Sequence, residues 1–298
     1  CWVCEKSCEI GAIRFDQADE IVEEGVGAVV VATGYETLPV TEIREYGGGK
    51  VPDVIDGLAF ERLLSASGPT GGEVRRPSDG KVPKEVVFVQ CAGSRDPERY
   101  QPYCSKICCM YTAKHAMLYK HRVHDGQPYI FYIDVRTGGK GYEEFYHRAE
   151  EEEGIVYLKG KVAKIFRDGD RTVVWGTDVL TGRNVEIAAD LVVLATAVAP
   201  SPGVADLAAK LKIQLGPNGF ATEAHPKLRP VESISAGFFL AGCGQGPKDI
   251  PETVAQAGAA AGKVAALFSR EEMEQDPMIA VVNEDECGGC RICISVCP

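Results

Sequence analysis

Long hydrophobic runs are missing from this sequence. The longest, near residues 28–32 and 191–199, fall far short of the roughly 20 residues that span a bilayer, and no basic-plus-apolar leader opens the chain. Basic residues are also outnumbered, with 32 Lys and Arg against 43 Asp and Glu and a net charge of −11. Because such a surface repels a phosphate backbone, we expect no nucleic-acid partner. We expect a cytoplasmic globular protein without a membrane span.

Cysteine, by contrast, is abundant, with 12 residues grouped at ligand-like spacings. Disulfide frameworks are typical of small secreted chains that lack a large core. A chain of 298 residues with 45% apolar content can bury substantial cores, and its length suggests about two domains. Metal binding is therefore the better interpretation of these cysteines.

The glycine loop of a dinucleotide-binding turn is absent from the middle of the chain. Residues 86–89 form a β-branched apolar run, which is typical of a buried parallel strand. A nucleotide-binding unit would place G-x-G-x-x-G directly after it, but this sequence has Cys91, followed by Cys104, Cys108 and Cys109. We interpret the segment as a Rossmann-like unit that holds an iron–sulfur cluster through these four ligands. Buried structural thiols are the alternative.

A helical stretch at residues 111–122 follows the last two of these cysteines. The backbone N–H groups at the start of a helix favour a negatively charged group such as a cluster. Lys114 on this helix is interpreted as a positive charge directed toward a reduced flavin, with an ordinary solvated lysine as the alternative. We expect His115, His121 and His124 to be surface residues rather than ligands.

A flavin is indicated by two similar strand endings and by a third segment. An apolar strand ends in Ala32-Thr33-Gly34, and residues 190–197 repeat this pattern about 160 residues later. Small residues at such turns let the backbone approach FAD. Residues 237–246 resemble the last FAD-contacting element of disulfide-reductase flavoproteins, although Cys243 stands where an aspartate usually meets the ribityl chain. The residues assigned to FAD on this basis are Ala32, Thr33, Gly34, Gly242, Cys243, Gly244 and, on the following small-residue helix, Ala257.

Ferredoxin-type cysteine runs occur at both ends of the chain. Residues 287–298 have the complete C-x2-C-x2-C-x3-C-P run, formed by Cys287, Cys290, Cys293 and Cys297. Cys1, Cys4 and Cys8 match the second to fourth cysteines of such a run, with a zinc knuckle or chance as the alternative. We therefore expect the chain to be a segment of a longer polypeptide. Between these ends, short strands over residues 155–187 predict an antiparallel ribbon.

The segments QCAGSRD, YCSKICCMYTAKHA, FYIDVRTGGKGYEEFY, EAHPKLRPV and AGCGQGPKDIPETVAQA together resemble the iron–sulfur flavoprotein A subunits of CoB–CoM heterodisulfide reductases. This resemblance implies an α/β fold, with a thioredoxin-reductase-like two-dinucleotide-domain flavoprotein core and partial ferredoxin-type segments at both ends. The implied domains are the end of an inserted ferredoxin module (1–14), part of the FAD domain (15–83), a cluster-binding unit that is like an NAD(P) domain (84–200), a return to the FAD domain (201–272) and the start of a second ferredoxin module (273–298).

The resemblance also implies the cofactors and partners. It implies FAD and [4Fe-4S] clusters, with the cluster beside the flavin held by Cys91, Cys104, Cys108 and Cys109, and with Lys114 and Lys248 near the flavin. It implies electron bifurcation between a heterodisulfide of the CoM-S-S-CoB type and ferredoxin. The implied partners are heterodisulfide reductase subunits B and C, a hydrogenase or formate dehydrogenase adaptor and ferredoxin, in a dimer of the larger complex.

Two other functions stay open on sequence alone. One is an electron relay in a related quinone-interacting or sulfate-reduction complex. The other is a self-contained NAD(P)H-dependent disulfide reductase, which needs a glycine fingerprint after Val89 and a redox C-x-x-C on the flavin face. The sequence has neither feature, because Cys1-x2-Cys4 is better explained by the ferredoxin run.

Overall fold

The computed structural model describes residues 2–269, 271–272 and 280–296. Within these ranges the strands are β1 Val29–Val31, β2 Tyr35–Thr37, β3 Val54–Asp56, β4 Glu85–Ala92, β5 Gln127–Tyr132, β6 Val156–Lys159, β7 Val162–Asp168, β8 Arg171–Asp178, β9 Arg183–Ala189, β10 Leu191–Thr196, β11 Val198–Pro200 and β12 Phe238–Leu240. The α-helices are α1 Val3–Ser7, α2 Gly57–Leu64, α3 Cys108–Arg122, α4 Tyr142–Glu151, α5 Val204–Leu211, α6 Ile250–Phe268 and α7 Ile292–Val296. Every described helix falls short of the combined length and hydropathy that a membrane span requires.

A five-stranded parallel sheet with the order β3-β10-β4-β5-β6 forms the centre of the fold. Its middle strand β4 is buried on both faces, as the β-branched run predicts. Val86 and Phe88 pack against helices α2, α3 and α4, whereas Val87 and Val89 face the opposite layer. The alternation of side chains along one strand thus connects two separate hydrophobic cores.

The opposite layer is a three-stranded antiparallel sheet, β7-β8-β9, which covers the second face of the parallel sheet. The expectation of a single antiparallel ribbon over residues 155–187 was wrong for its first part. Residues 156–159 form β6, which pairs in parallel with β5 at the sheet edge, with Tyr129 opposite Val156. A short strand after a helix has the same residue pattern whether it joins the parallel or the antiparallel sheet. Only the strand it pairs with distinguishes the two cases.

A second group of elements is built from segments that are distant in sequence. Strands β1 and β12 pair in parallel, with Val30 opposite Phe239, although about 200 residues separate them. Antiparallel strands β2 and β11 lie where the chain passes between this group and the parallel sheet. Helix α6 follows β12 and begins with a capping box, in which Asp249 and Glu252 satisfy each other's backbone N–H groups.

The amino ends of the central strands are joined by a buried cluster of charges. Arg76 forms ion pairs with Asp79 and Asp190, and only 8% of its side chain is exposed. Asp190 also accepts hydrogen bonds from the backbone N–H groups of Lys84 at 2.8 Å and Glu85 at 3.1 Å. This cluster therefore fixes the start of β4 against the start of β10.

We expect Arg76→Leu to lower the free energy of unfolding by about 3 kcal/mol, because the mostly buried Asp190 then has only Arg171, 4.0 Å away, as a pairing cation. Arg75→Leu is the matched control, since the neighbouring Arg75 pairs with Glu73 at the surface. Its loss is expected to cost less than about 1 kcal/mol. Urea denaturation of both variants provides the comparison, and equal losses would contradict the assigned role of Arg76.

Candidate functional site

Three thiols meet where the central strand ends and helix α3 begins. Cys108 and Cys109 are the first two residues of α3, and Cys91 lies near the carboxyl end of β4. All three are buried, with 9% of Cys91, 1% of Cys108 and 3% of Cys109 exposed. The Cys108 thiol lies near both other thiols and affects the pKa of each. The structure therefore brings these three predicted ligands together.

The fourth predicted ligand, Cys104, lies on the loop between β4 and α3. Its sulfur accepts a hydrogen bond from the backbone N–H of Lys106 at 3.3 Å. Three non-glycine residues around this loop have left-handed backbone conformations, with φ values of 57° at Cys91, 58° at Arg95 and 62° at Lys106. Such conformations cost free energy and are concentrated at functional sites. The loop is thus held in a strained shape around the thiols.

Positive charge surrounds these thiols. Arg95 lies near both Cys91 and Cys104 and is held by Asp134 at 2.7 Å. The Cys108 thiol lowers the pKa of Cys91, and Arg95 lowers it further. The neighbouring Cys108 thiol likewise lowers the pKa of Cys109 to about 7, with a contribution from Arg136. Contacts with these two thiols and burial raise the pKa of Cys108 itself, so the thiolate, which is the form that binds metal, is favoured at Cys91 and Cys109.

The donor set fits an iron–sulfur cluster better than a single ion. Among the described residues, no group of three or more His, Cys, Asp or Glu side chains is arranged to hold one metal ion. Four sulfur donors with no carboxylate or imidazole are typical of iron–sulfur ligation. A cubane core also spans a wider space between its ligands than one ion does. The burial, charge and sulfur chemistry of this site therefore match the predicted group.

The cysteines near the chain ends are separate from this site. Each of the ten cysteines that the structure describes is free. Cys4 is exposed and Cys8 is half-buried beside helix α1, while Cys287, Cys290 and Cys293 are exposed beside helix α7. Cys1 and Cys297 lie outside the described residues.

The predicted flavin-contacting segments also come together. The pairing of β1 with β12 places Thr33 beside Gly244, where an added Cβ would lie 2.8 Å from the Thr33 hydroxyl oxygen. That oxygen is buried and has no hydrogen-bond partner. A glycine that permits close approach and an orphaned hydroxyl are features that fit a bound cofactor.

The rest of this segment is held by local hydrogen bonds. The backbone N–H of Gly242 donates to the Gln256 side chain at 2.7 Å, and the Cys243 thiol donates to the carbonyl of Lys248 at 3.4 Å. Burial lowers the pKa of Lys248. Ala257, which the sequence also assigned to FAD, is exposed on α6, and Ala32 is exposed after β1.

A cavity of about 1190 Å³ lies between the thiol site and the predicted flavin-contacting segment. Cys104 and Lys114 line one wall, whereas Cys243 and Lys248 line the other. Two contacts connect the walls. Lys106 forms an ion pair with Glu252, and the Tyr142 hydroxyl donates to Asp249 at 3.1 Å. A cavity of this size and composition is typical of a cofactor site.

Lys114 is paired within this region. Its ammonium group contacts Glu61 at 2.5 Å, and Nε2 of His115 contacts the same carboxylate oxygen at 2.5 Å. Glu61 and His115 line a second cavity of about 580 Å³, which shares Tyr35 and Tyr111 with the larger one. Glu61 lines the smaller cavity and contacts Lys114, which lines the larger one, so this ion pair lies between the two cavities.

The expectation that His115 is a surface residue was wrong. Only 2% of His115 is exposed, and burial lowers its pKa to about 4, so its imidazole is neutral at neutral pH. The His115 side chain points from α3 toward α2, where its ring lies next to that of Phe60. His121, by contrast, has 60% of its side chain exposed, and His124 is exposed as well.

Sequence patterns missed four residues of this site. Glu61, Gln90, Arg95 and Arg136 carry no motif of their own, and Glu61 belongs to a helix that precedes the thiol loop by about 40 residues. Gln90 and Arg95 belong to the segment QCAGSRD and Arg136 to FYIDVRTGGKGYEEFY, which carry the family resemblance, but neither segment indicates which of its polar residues lie at the thiols.

The fold is that of the two-dinucleotide-domain flavoprotein disulfide reductases. The thioredoxin reductase of T. acidophilum superposes with a TM-score of 0.51 at 16% identity, covering 82% of this chain and 66% of that one. The flavoprotein disulfide reductase RclA from Escherichia coli also gives 0.51, at 10% identity, and the match covers 82% of this chain and 45% of RclA. These likenesses establish the fold alone.

Sequence comparison finds relatives from one particular family. The A subunit of the H2:CoB–CoM heterodisulfide, ferredoxin reductase from Methanothermobacter marburgensis is 46% identical over 299 positions, covering 100% of this chain and 45% of that protein. One of the iron–sulfur A subunits of CoB–CoM heterodisulfide reductase from Methanopyrus kandleri is 48% identical over 289 positions, covering 96% and 44%. Over nearly its whole length, the chain is similar to the A subunits of heterodisulfide reductases. It spans a little under half the length of these relatives, and no protein-family profile matches it.

Proposed function

We propose that this chain is part of an oxidoreductase, the electron-transferring flavin and iron–sulfur subunit of a heterodisulfide reductase complex. The observation that carries this proposal is the single cavity between the thiol site and the predicted flavin-contacting segment, with Cys104 on one wall and Cys243 on the other. Two redox groups held on these walls would face the same cavity and could exchange electrons without a diffusing carrier.

FAD is the proposed occupant of the larger cavity. Thr33, Gly34, Gly242, Cys243, Gly244 and Lys248 form the proposed contacts, together with Ala32 and Ala257 from the sequence assignment. When bound, FAD supplies a centre that accepts electrons in pairs and passes them on singly. The buried Thr33 hydroxyl and the close approach at Gly244 support this assignment.

The thiol site is proposed to hold a [4Fe-4S] cluster through Cys91, Cys104, Cys108 and Cys109. Further clusters are assigned to the ferredoxin-type segments, with Cys1, Cys4 and Cys8 in one and Cys287, Cys290, Cys293 and Cys297 in the other. Arg95 and Arg136 lie beside the central thiols and balance part of the negative charge of the ligated cluster. The five predicted domains follow this division of cofactors.

Lys114 is proposed to place its positive charge at the flavin. Glu61 orients the ammonium group, and the neutral His115 donates to the same carboxylate. Because Lys114 lines the cavity, its positive charge can stabilise negative charge that develops there on reduction. Glu61 and His115 are positioning residues in this arrangement.

The names of the relatives support the wider assignment. One relative from Methanococcus maripaludis is named as the A subunit of an H2/formate:CoB–CoM heterodisulfide, ferredoxin reductase. We propose by extension that this chain works in the cytoplasm, in a dimer of a larger complex with heterodisulfide reductase subunits B and C, a hydrogenase or formate dehydrogenase adaptor and ferredoxin. In electron bifurcation, each electron pair is divided between the heterodisulfide and ferredoxin. Two such events reduce one disulfide to two thiols, with uptake of two protons.

The assembled complex provides the test of this proposal. With hydrogen or formate as donor, we expect ferredoxin to be reduced only while heterodisulfide is present, with equal numbers of electrons in both products. NADH should leave the flavin oxidised, because the turn after β4 carries cysteines where the nicotinamide fingerprint has glycines. Reduction of the flavin by NADH at the rate of turnover would favour the NAD(P)H-dependent disulfide reductase. Quinone-linked or sulfite-linked electron transfer without bifurcation would favour the electron relay.

A further inference from the structure

Gln90 places a buried side-chain amide against the thiol site. It precedes Cys91 on β4, and only 5% of the residue is exposed. The Cys109 thiol donates to its carbonyl oxygen Oε1 at 3.6 Å, a contact of sulfur length, and the thiol also lies 3.7 Å from the carbonyl of Asp134. The amide nitrogen Nε2 is buried with no hydrogen-bond partner. A buried N–H donor without a partner is destabilising and requires an explanation.

The ligation of Cys109 changes which end of this amide can face the sulfur. A ligating cysteine is a thiolate, which has no hydrogen to donate and can only accept. The carbonyl oxygen of Gln90 would then face a negatively charged sulfur. Rotation of the amide by half a turn exchanges Oε1 and Nε2, so that an N–H group faces the thiolate. This rotation removes the repulsion and gives the orphaned donor a partner.

We propose that the Gln90 side chain donates an N–H hydrogen bond to the Cys109 thiolate and thereby raises the reduction potential of the adjacent cluster. This inference rests on the proposed function, since it requires a cluster at the four thiols. Hydrogen bonds to the sulfurs of a cluster are among the factors that set its potential. The bond stabilises the reduced cluster more than the oxidised one, because the sulfur carries more negative charge after reduction.

Gln90→Leu tests the inference, since leucine has a similar size but no donor. In an EPR-monitored redox titration of the full-length polypeptide, purified without oxygen, we expect the reduced-to-oxidised ratio of the central cluster at a fixed potential to fall about tenfold. This change corresponds to about 59 mV for a one-electron couple. The signals of the ferredoxin-type clusters serve as the internal reference and should not move.

Gln127→Leu is the matched control. Gln127 has the same side chain at the opposite, amino end of the neighbouring strand β5, and its amide donates to the carbonyls of Pro128 and Gly154. Its loss should leave the potential of the central cluster unchanged. An intact central signal with an unshifted potential in Gln90→Leu would overturn the inference, as would an equal shift in Gln127→Leu.

A second measurement does not depend on the variant assembling its cluster. In protein with the natural sequence, glutamine labelled with the heavy nitrogen isotope at the side-chain amide should give a hyperfine coupling to the reduced central cluster in pulsed EPR. Absence of that coupling beside an intact cluster signal would overturn the role of Gln90. Absence of the cluster signal itself from the unaltered protein would instead refute the proposed function, so the two failures are distinguishable.

Discussion

Cys108→Ser is expected to remove the EPR signal of the central cluster while the signals of the ferredoxin-type clusters remain. Cys108 lies at the centre of the thiol site, 1% exposed and near the thiols of both Cys91 and Cys109. A serine oxygen is a harder and less readily ionised ligand than a thiolate, so it supports the cluster poorly at this position. The full-length polypeptide, reduced without oxygen, provides the measurement together with its iron content.

Cys243→Ser is the matched control for this result. Cys243 lines the same cavity, but it lies on the wall proposed to contact FAD, and its thiol donates to the carbonyl of Lys248. This variant should keep every cluster signal. If Cys108→Ser and Cys243→Ser both retain the central signal, the assignment of the ligands is wrong. If both lose it, the effect reflects the fold of the cavity rather than ligation.

Lys114→Met is expected to slow reduction of the flavin about 100-fold, while FAD content stays unchanged. The physical reason is local charge, because Lys114 supplies the positive charge that stabilises the reduced flavin, and the neighbouring His115 is neutral and cannot replace it. Rapid-mixing absorbance measurements on the full complex with its physiological donor give the rate. Lys120→Met is the control, since Lys120 lies on the same helix and donates only to the carbonyl of Gly126 at 2.8 Å.

A double variant separates two roles for Lys114. If the ammonium group acts on the flavin, adding Glu61→Gln to Lys114→Met should not restore the rate. If Lys114 merely neutralises Glu61, the uncharged glutamine removes the unpaired carboxylate and the rate should recover. Recovery would contradict the proposed role of Lys114 and would leave a structural ion pair in its place.

Much of the fold could be predicted because its signals are local. The β-branched run at β4 and the small residues after β1 each act through their own backbone, so the sequence carries them directly. Strand β6 was placed in the wrong sheet because residues 156–159 are too few for their pattern to distinguish parallel from antiparallel pairing. The burial of His115 was missed because the helix that covers it lies more than 50 residues away.

The sequence by itself determined which donor atoms this protein offers, since the type and spacing of its cysteines predict sulfur ligation wherever the chain folds. Only the tertiary structure decided which groups face one another. It set Cys104 across a cavity from Cys243, Glu61 against Lys114, and the Gln90 amide against Cys109. The physical reason is that ligand type is a property of single residues. Proximity depends instead on the order of strands in the sheet, which brings together segments far apart in the chain.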